Sequence, residues 1–186
     1  MSHQNPRLGA SRLARGEGPR EPEGLTLRPS AVQDEPVSVS EAESFLRAMD
    51  TQRSVLYTLL QAVRTEGERL AHRLFTRREV EAEWGMFYRQ VELPRPPIGS
   101  VSSVEKYDDG AWESISEYDV RGRRLELDDD LPGQPLRVTY TAGFEDLPAD
   151  LRRRVLLDVR HAYDHRDPTM GEVVQKPDVY AQYRPY

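Results

Sequence analysis

The sequence predicts an α+β protein: a small helical bundle with an inserted antiparallel β-sheet or hairpin and extended N- and C-terminal segments. Three observations predict it. Apolar residues recur at helical spacing before residue 75 and again after residue 148. Between these lie short strand-like runs separated by turn chemistry, and both ends of the chain lack any regular hydrophobic period. At 186 residues, 37% hydrophobic and 31% charged, the chain suits one domain with a modest core and much chain outside it.

Residues 1–24 are rich in Gly, Pro, Arg and Glu and read as a flexible arm, able to order against a neighbouring chain. The folded domain is expected over 25–168. Ser38 and Glu41 have the spacing of a capping box and open a first helix over 38–49, with Phe45, Leu46 and Met49 on one face. Asp50 and Thr51 offer a break and a second cap. Val55, Leu56, Leu59, Leu60, Val63, Leu70, Leu74 and Phe75 then give a long amphipathic helix over 51–75.

After Glu83 the period changes, and a β insertion is expected over 84–142. Its runs are Trp84–Leu93, Val101–Tyr107, Arg124–Leu127 and Leu136–Thr141, divided by Pro94-Arg95-Pro96-Pro97, Asp108-Asp109-Gly110 and Leu131-Pro132-Gly133. Asp109-Gly110 is a strong hairpin signal. Pro148-Ala149-Asp150 starts a third helix over 148–166, with Leu151, Val155, Leu156, Val159, Ala162 and Tyr163 on one face. The tail over 169–186 keeps Val173, Val174, Val179, Tyr180, Tyr183 and Tyr186, apolar surface that suits docking on a partner. Removing the tail from Thr169 is expected to leave the bundle folded.

Charge and motifs narrow the function classes. The net charge is −6, and ten acidic against four basic residues between Val101 and Asp130 account for it. A duplex-gripping basic footprint is therefore missing. There is no cysteine, so disulfides and thiolate metal sites are excluded. No phosphate-cradling glycine loop or nucleophile elbow occurs, and strands do not alternate with helices as in nucleotide-binding α/β folds. His161 and His165 at i, i+4 lack the glutamate of the zinc-protease pattern, and contiguous Asp128, Asp129 and Asp130 cannot all face one ion. Helix-end packing and a solvated turn account for them, so no metal, cofactor or enzymatic activity is expected, and no membrane association. Arg152, Arg153 and Arg154 suit a solvated face or inter-subunit salt bridges rather than nucleic acid, and Arg77 and Arg78 admit the same two readings.

Several stretches, in order, resemble the head-tail connector (adaptor) proteins of tailed phages and gene transfer agents. They are PVSVSEAESFLR (Pro36 to Arg47), the long helix, ELPRPPIGSVSSVEKYDDG (Glu92 to Gly110), RVTYTAGFEDLPADLRRRVLLDVRHAYDHRD (Arg137 to Asp167) and the ending YRPY. The arm before Gly24 and the charged stretch from Thr76 to Glu83 depart from that pattern. The resemblance implies a virion neck subunit, assembled in the bacterial host, that forms a ring, usually of twelve, with itself. It implies binding to the portal protein above and to a stopper, tail terminator or other neck protein below, around a channel that passes DNA without specific binding. It also implies that the C-terminal segment, with Val173, Val174, Val179, Tyr180, Tyr183 and Tyr186, contacts the portal. An acidic lining suits such a channel, which makes Asp128, Asp129 and Asp130 candidates for the lumen or lower face. A different class, a small protein-binding module or regulator using its arm and tail, remains the alternative.

Overall fold

The computed structural model describes residues 24–47, 53–87, 89–127, 133–165 and 180–185. They form an α+β fold in the order β1 (Thr26–Pro29), α1 (Val39–Leu46), α2 (Arg53–Ala71), β2 (Arg78–Phe87), β3 (Gln90–Glu92), β4 (Ile98–Asp108), β5 (Ala111–Ser114), β6 (Tyr118–Arg121), β7 (Arg124–Leu127), β8 (Gln134–Ala142), α3 (Ala149–Asp164) and a 3-10 turn (Ala181–Tyr183).

Each helix begins much as expected and ends earlier. Ser38 caps α1, its Oγ accepting the Glu41 N–H at 3.1 Å. Arg47, with φ 53°, turns the chain left-handed and stops the helix before Met49, which lies outside the described residues. A second left-handed residue, His72 with φ 52°, ends α2 after Ala71 rather than at 75. Pro148 stands at the N-cap of α3, and its carbonyl accepts the Arg152 N–H at 2.8 Å.

The β region is larger than expected. One sheet has the order β1-β2-β8-β4-β5 and the other β3-β7-β6, and all pairs are antiparallel. β2 starts at Arg78, not Trp84: Glu79, Glu81 and Glu83 alternate with Val80, Ala82 and Trp84, which are fully buried. That period of two is what a half-buried strand requires. β1 is an edge strand without an alternating run, registered by Leu27 opposite Ala82 and by Arg28 on Glu81 at 2.7 Å. The Asp109-Gly110 hairpin forms, both residues at positive φ, with Tyr107 opposite Trp112.

Two cores result, where the composition suggested one modest core. Trp84, Val104, Val138, Tyr140, Leu125 and Leu127 fill the space between the sheets. Leu60, Phe75, Leu151, Val155, Val159 and Tyr180 fill the space among the helices and the C-terminal turn. Leu74 belongs to the first and Phe75 to the second, so adjacent side chains serve opposite cores.

The Leu93–Ile98 segment ties the two halves together. Leu93 is buried among the sheets, and the Pro94 carbonyl accepts the Tyr140 hydroxyl at 2.8 Å. Arg95 Nη1 donates to the Glu68 carbonyl at 2.7 Å, covering one of the orphan acceptors at the end of α2. The Pro97 carbonyl accepts the Gly143 N–H at 2.9 Å. Gly143 has φ 101°, and a Cβ there would lie 2.2 Å from the Thr76 carbonyl oxygen, so only glycine lets β8 pass this close to the α2–β2 connection.

Candidate assembly surfaces

The C-terminal turn is held on the bundle by an aromatic anchor and by arginines. Tyr180 is 3% exposed, its ring 6.0 Å from that of Phe75, over Gly67 of α2. Its hydroxyl donates to Asp158 Oδ2 at 2.7 Å, and Arg154 grips the same carboxylate at 3.1 and 2.6 Å. Burial, and then the Asp158 carboxylate, push the Tyr180 phenol above its ordinary range. Arg73 Nε donates to the Tyr183 carbonyl, and Arg184 Nε donates to the Leu70 carbonyl at 3.0 Å, which serves another open acceptor of α2.

These contacts redistribute the residues singled out from sequence. Tyr180 is spent inside the chain's own core. Tyr183 is half-buried beside α3, its phenol raised by burial and by Asp150. Val173, Val174, Val179 and Tyr186 lie outside the described residues, as do Asp128, Asp129 and Asp130. The three arginines part company. Arg152 bonds Glu41 of α1 at 2.8 Å and Arg154 bonds Asp158, whereas Arg153 is exposed beside Leu157 and Tyr183 in an open, mainly apolar groove of about 390 Å³. Leu157 is 40% exposed there, and Phe45, Val55 and Tyr57 are similarly exposed around the α1–α2 connection.

A second charged cluster, not singled out from sequence, sits where helices meet sheet. Glu68 accepts from the Phe75 N–H at 2.8 Å, from Arg78 Nη2 at 2.6 Å and from Arg64 Nη1 at 3.3 Å, while Arg64 Nε also bonds Glu35 at 2.8 Å. The Glu68 and Arg78 side chains are 7% and 9% exposed. Buried charges persist only when so paired, and here the pairing locks α2 to β2 and to the loop before α1. The i, i+4 pairs Arg64–Glu68 and Arg154–Asp158 were the legible signal, since each puts a charge on the apolar face of its helix. His161 and His165 pack with ring centroids 4.2 Å apart and planes tilted by 39°, and His165 Nδ1 lies 2.8 Å from the His161 carbonyl. Among the described residues no group of three or more potential metal ligands comes together.

Comparison with known proteins yields structural matches alone. No family model and no curated protein sequence matches the chain. A chain from the neck of an empty GTA particle, computed with C6 symmetry, shares the fold with a TM-score of 0.72 at 19% identity, covering 87% of this chain and 96% of that one. A chain from the virion of a native gene transfer agent (GTA) particle gives 0.71 at 19%, covering 86% and 95%. A chain from the neck of a native GTA particle, computed with C12 symmetry, gives 0.62 at 20%, covering 86% and 96%. At this identity the likeness establishes the common fold.

Proposed function

We propose that the chain is a structural neck subunit of a tailed phage or gene-transfer-agent-like particle: a head-tail connector that forms a ring, of twelve copies, beneath the portal. The observation that carries the reading is the fold match, which takes in 95–96% of two neck or virion chains rather than a shared fragment. The C12 symmetry of one such neck supports the number twelve. The two buried charge clusters support a structural role, because their carboxylates are engaged in joining elements of the chain.

In this ring the portal contact falls to Val173, Val174, Val179, Tyr183 and Tyr186, and Tyr180 is the anchor that fixes the end of the segment on the bundle. Arg153 and Leu157, exposed side by side on α3, are available to a neighbouring subunit. Asp128, Asp129 and Asp130 face the DNA channel or the lower neck component, where a polyanion passes without adhering.

Light scattering coupled to size-exclusion chromatography, on the protein alone and mixed with its portal, tests the reading. A complex with one connector copy per portal subunit is expected. A monomer indifferent to the portal would overturn it. Reversing the charge of Asp128, Asp129 and Asp130 is expected to make the assembled ring retain DNA at low salt, and an unchanged ring would place them away from the channel.

A further inference from the structure

Where the sheet meets the helices, the loop after β1, the connection between α2 and β2 and the segment after β8 enclose an open groove of about 610 Å³. Phe75, Phe144 and Leu147 contribute its apolar lining. Around them stand four acidic and three basic residues, and the bases are all taken: Arg77 by Glu145 at 3.2 Å, Arg78 by Glu68 at 2.6 Å and Arg152 by Glu41 at 2.8 Å. Glu35 is held by Arg64 at 2.8 Å. Asp34 and Glu79 are left on the exposed rim without a cationic partner among the described residues. The groove thus offers two unmatched negative charges beside an apolar patch.

The chain contains a segment of complementary chemistry. Its first sixteen residues carry Arg7, Arg12 and Arg15 and no acid, and Leu8 and Leu13 each follow an arginine directly. The arm meets the fold at Gly24, beside Gly85, at the far end of β1 from the groove. Residues 24 to 30 cover about 20 Å, and the seven residues 17–23 can span roughly 25 Å when extended. The linker therefore suffices to bring the basic stretch back along β1 to the groove, and tethering raises its local concentration into the millimolar range.

We propose that the Arg7–Arg15 stretch of the chain's own N-terminal arm docks in this groove, its arginines on Asp34 and Glu79 and a leucine over Phe144. Exposed pairs of this kind are screened by salt, so the docking is salt-sensitive and reversible. It requires no neighbouring subunit, and its failure would leave the neck reading untouched.

Because the chain has no cysteine, introduced pairs report proximity in the full-length protein. Under mild oxidation, Leu13→Cys with Ala31→Cys, at the groove, is expected to close an intramolecular disulfide roughly ten-fold faster than Leu13→Cys with Ser114→Cys on the opposite sheet edge. Adding Asp34→Asn and Glu79→Gln, or about 0.5 M salt, is expected to remove that advantage. Equal rates for the two pairs, or an advantage indifferent to charge and salt, would overturn the proposal. A disulfide formed between chains would overturn it too, by assigning the groove to the arm of a second copy.

Discussion

The Tyr180 hydroxyl donates to Asp158 Oδ2 at 2.7 Å across 22 residues of sequence, and the pair seals the C-terminal turn onto the face shared by α2 and α3. Arg154 neutralises the same carboxylate, so the buried aspartate keeps a charged partner even without the phenol. The turn belongs to the helical core.

Stability therefore depends on the turn. Tyr180→Ala is expected to cost about 3–5 kcal/mol, through lost ring packing on Phe75, and Tyr180→Phe about 1–2 kcal/mol, through the lost hydrogen bond. Removal from Thr169 onward takes away the same anchor, so a loss of stability is expected where the sequence suggested that the bundle would stay folded. Urea titration of the three variants checks this, and wild-type midpoints would show that the turn is not seated.

Alkaline pH provides a second handle. Tyr140 and Tyr180 both hold their protons to higher pH in the fold than in the open chain, chiefly through burial. The stability they contribute is complete below the unfolded phenol value of about 10 and falls as pH rises above it, by up to about 1.4 kcal/mol per pH unit per group. Urea midpoints at pH 9 and pH 11 should differ less in Tyr180→Phe than in the wild type. An equal fall in both would assign the alkaline loss elsewhere.

Removing one member of the buried cluster at the helix–sheet joint strands the others. Glu68→Ala leaves Arg78 and the Phe75 N–H without their acceptor and is expected to cost about 3–5 kcal/mol. Arg78→Met combined with Glu68→Leu should cost less than the sum of the singles. Additivity in this double-mutant cycle would mean that the two charges act independently.

Backbone fit alone constrains Gly143. Alanine there combines a positive φ with contact against the Thr76 carbonyl, and a loss of at least about 2 kcal/mol is expected on calorimetry. Gly133→Ala is the control: its Cβ would meet nothing within 4 Å, so only the cost of its φ of 82° remains.

What the sequence disclosed follows from how local each signal is. The Ser38 cap, the Pro148 start and the Asp109-Gly110 turn depend on neighbouring residues and were legible as such. β2 was visible as an alternation of glutamates with Val80, Ala82 and Trp84, but the glutamates made it read as a charged connection. β1 was not visible, because four residues ending in proline acquire strand character only by pairing with β2. Seating Tyr180 on Asp158 needs α2, α3 and the C-terminus to converge, and no local pattern states that. The tail's tyrosines stood out by composition, as docking residues without a known partner.

Leu74 and Phe75 offer a last consequence. Their side chains enter different cores from adjacent positions, and Glu68 fastens the Phe75 N–H on the helix side. A fluctuation that frees the helices must withdraw Phe75, and the same displacement of the backbone pulls Leu74 from between the sheets. The two halves are therefore expected to melt together, in a single calorimetric transition.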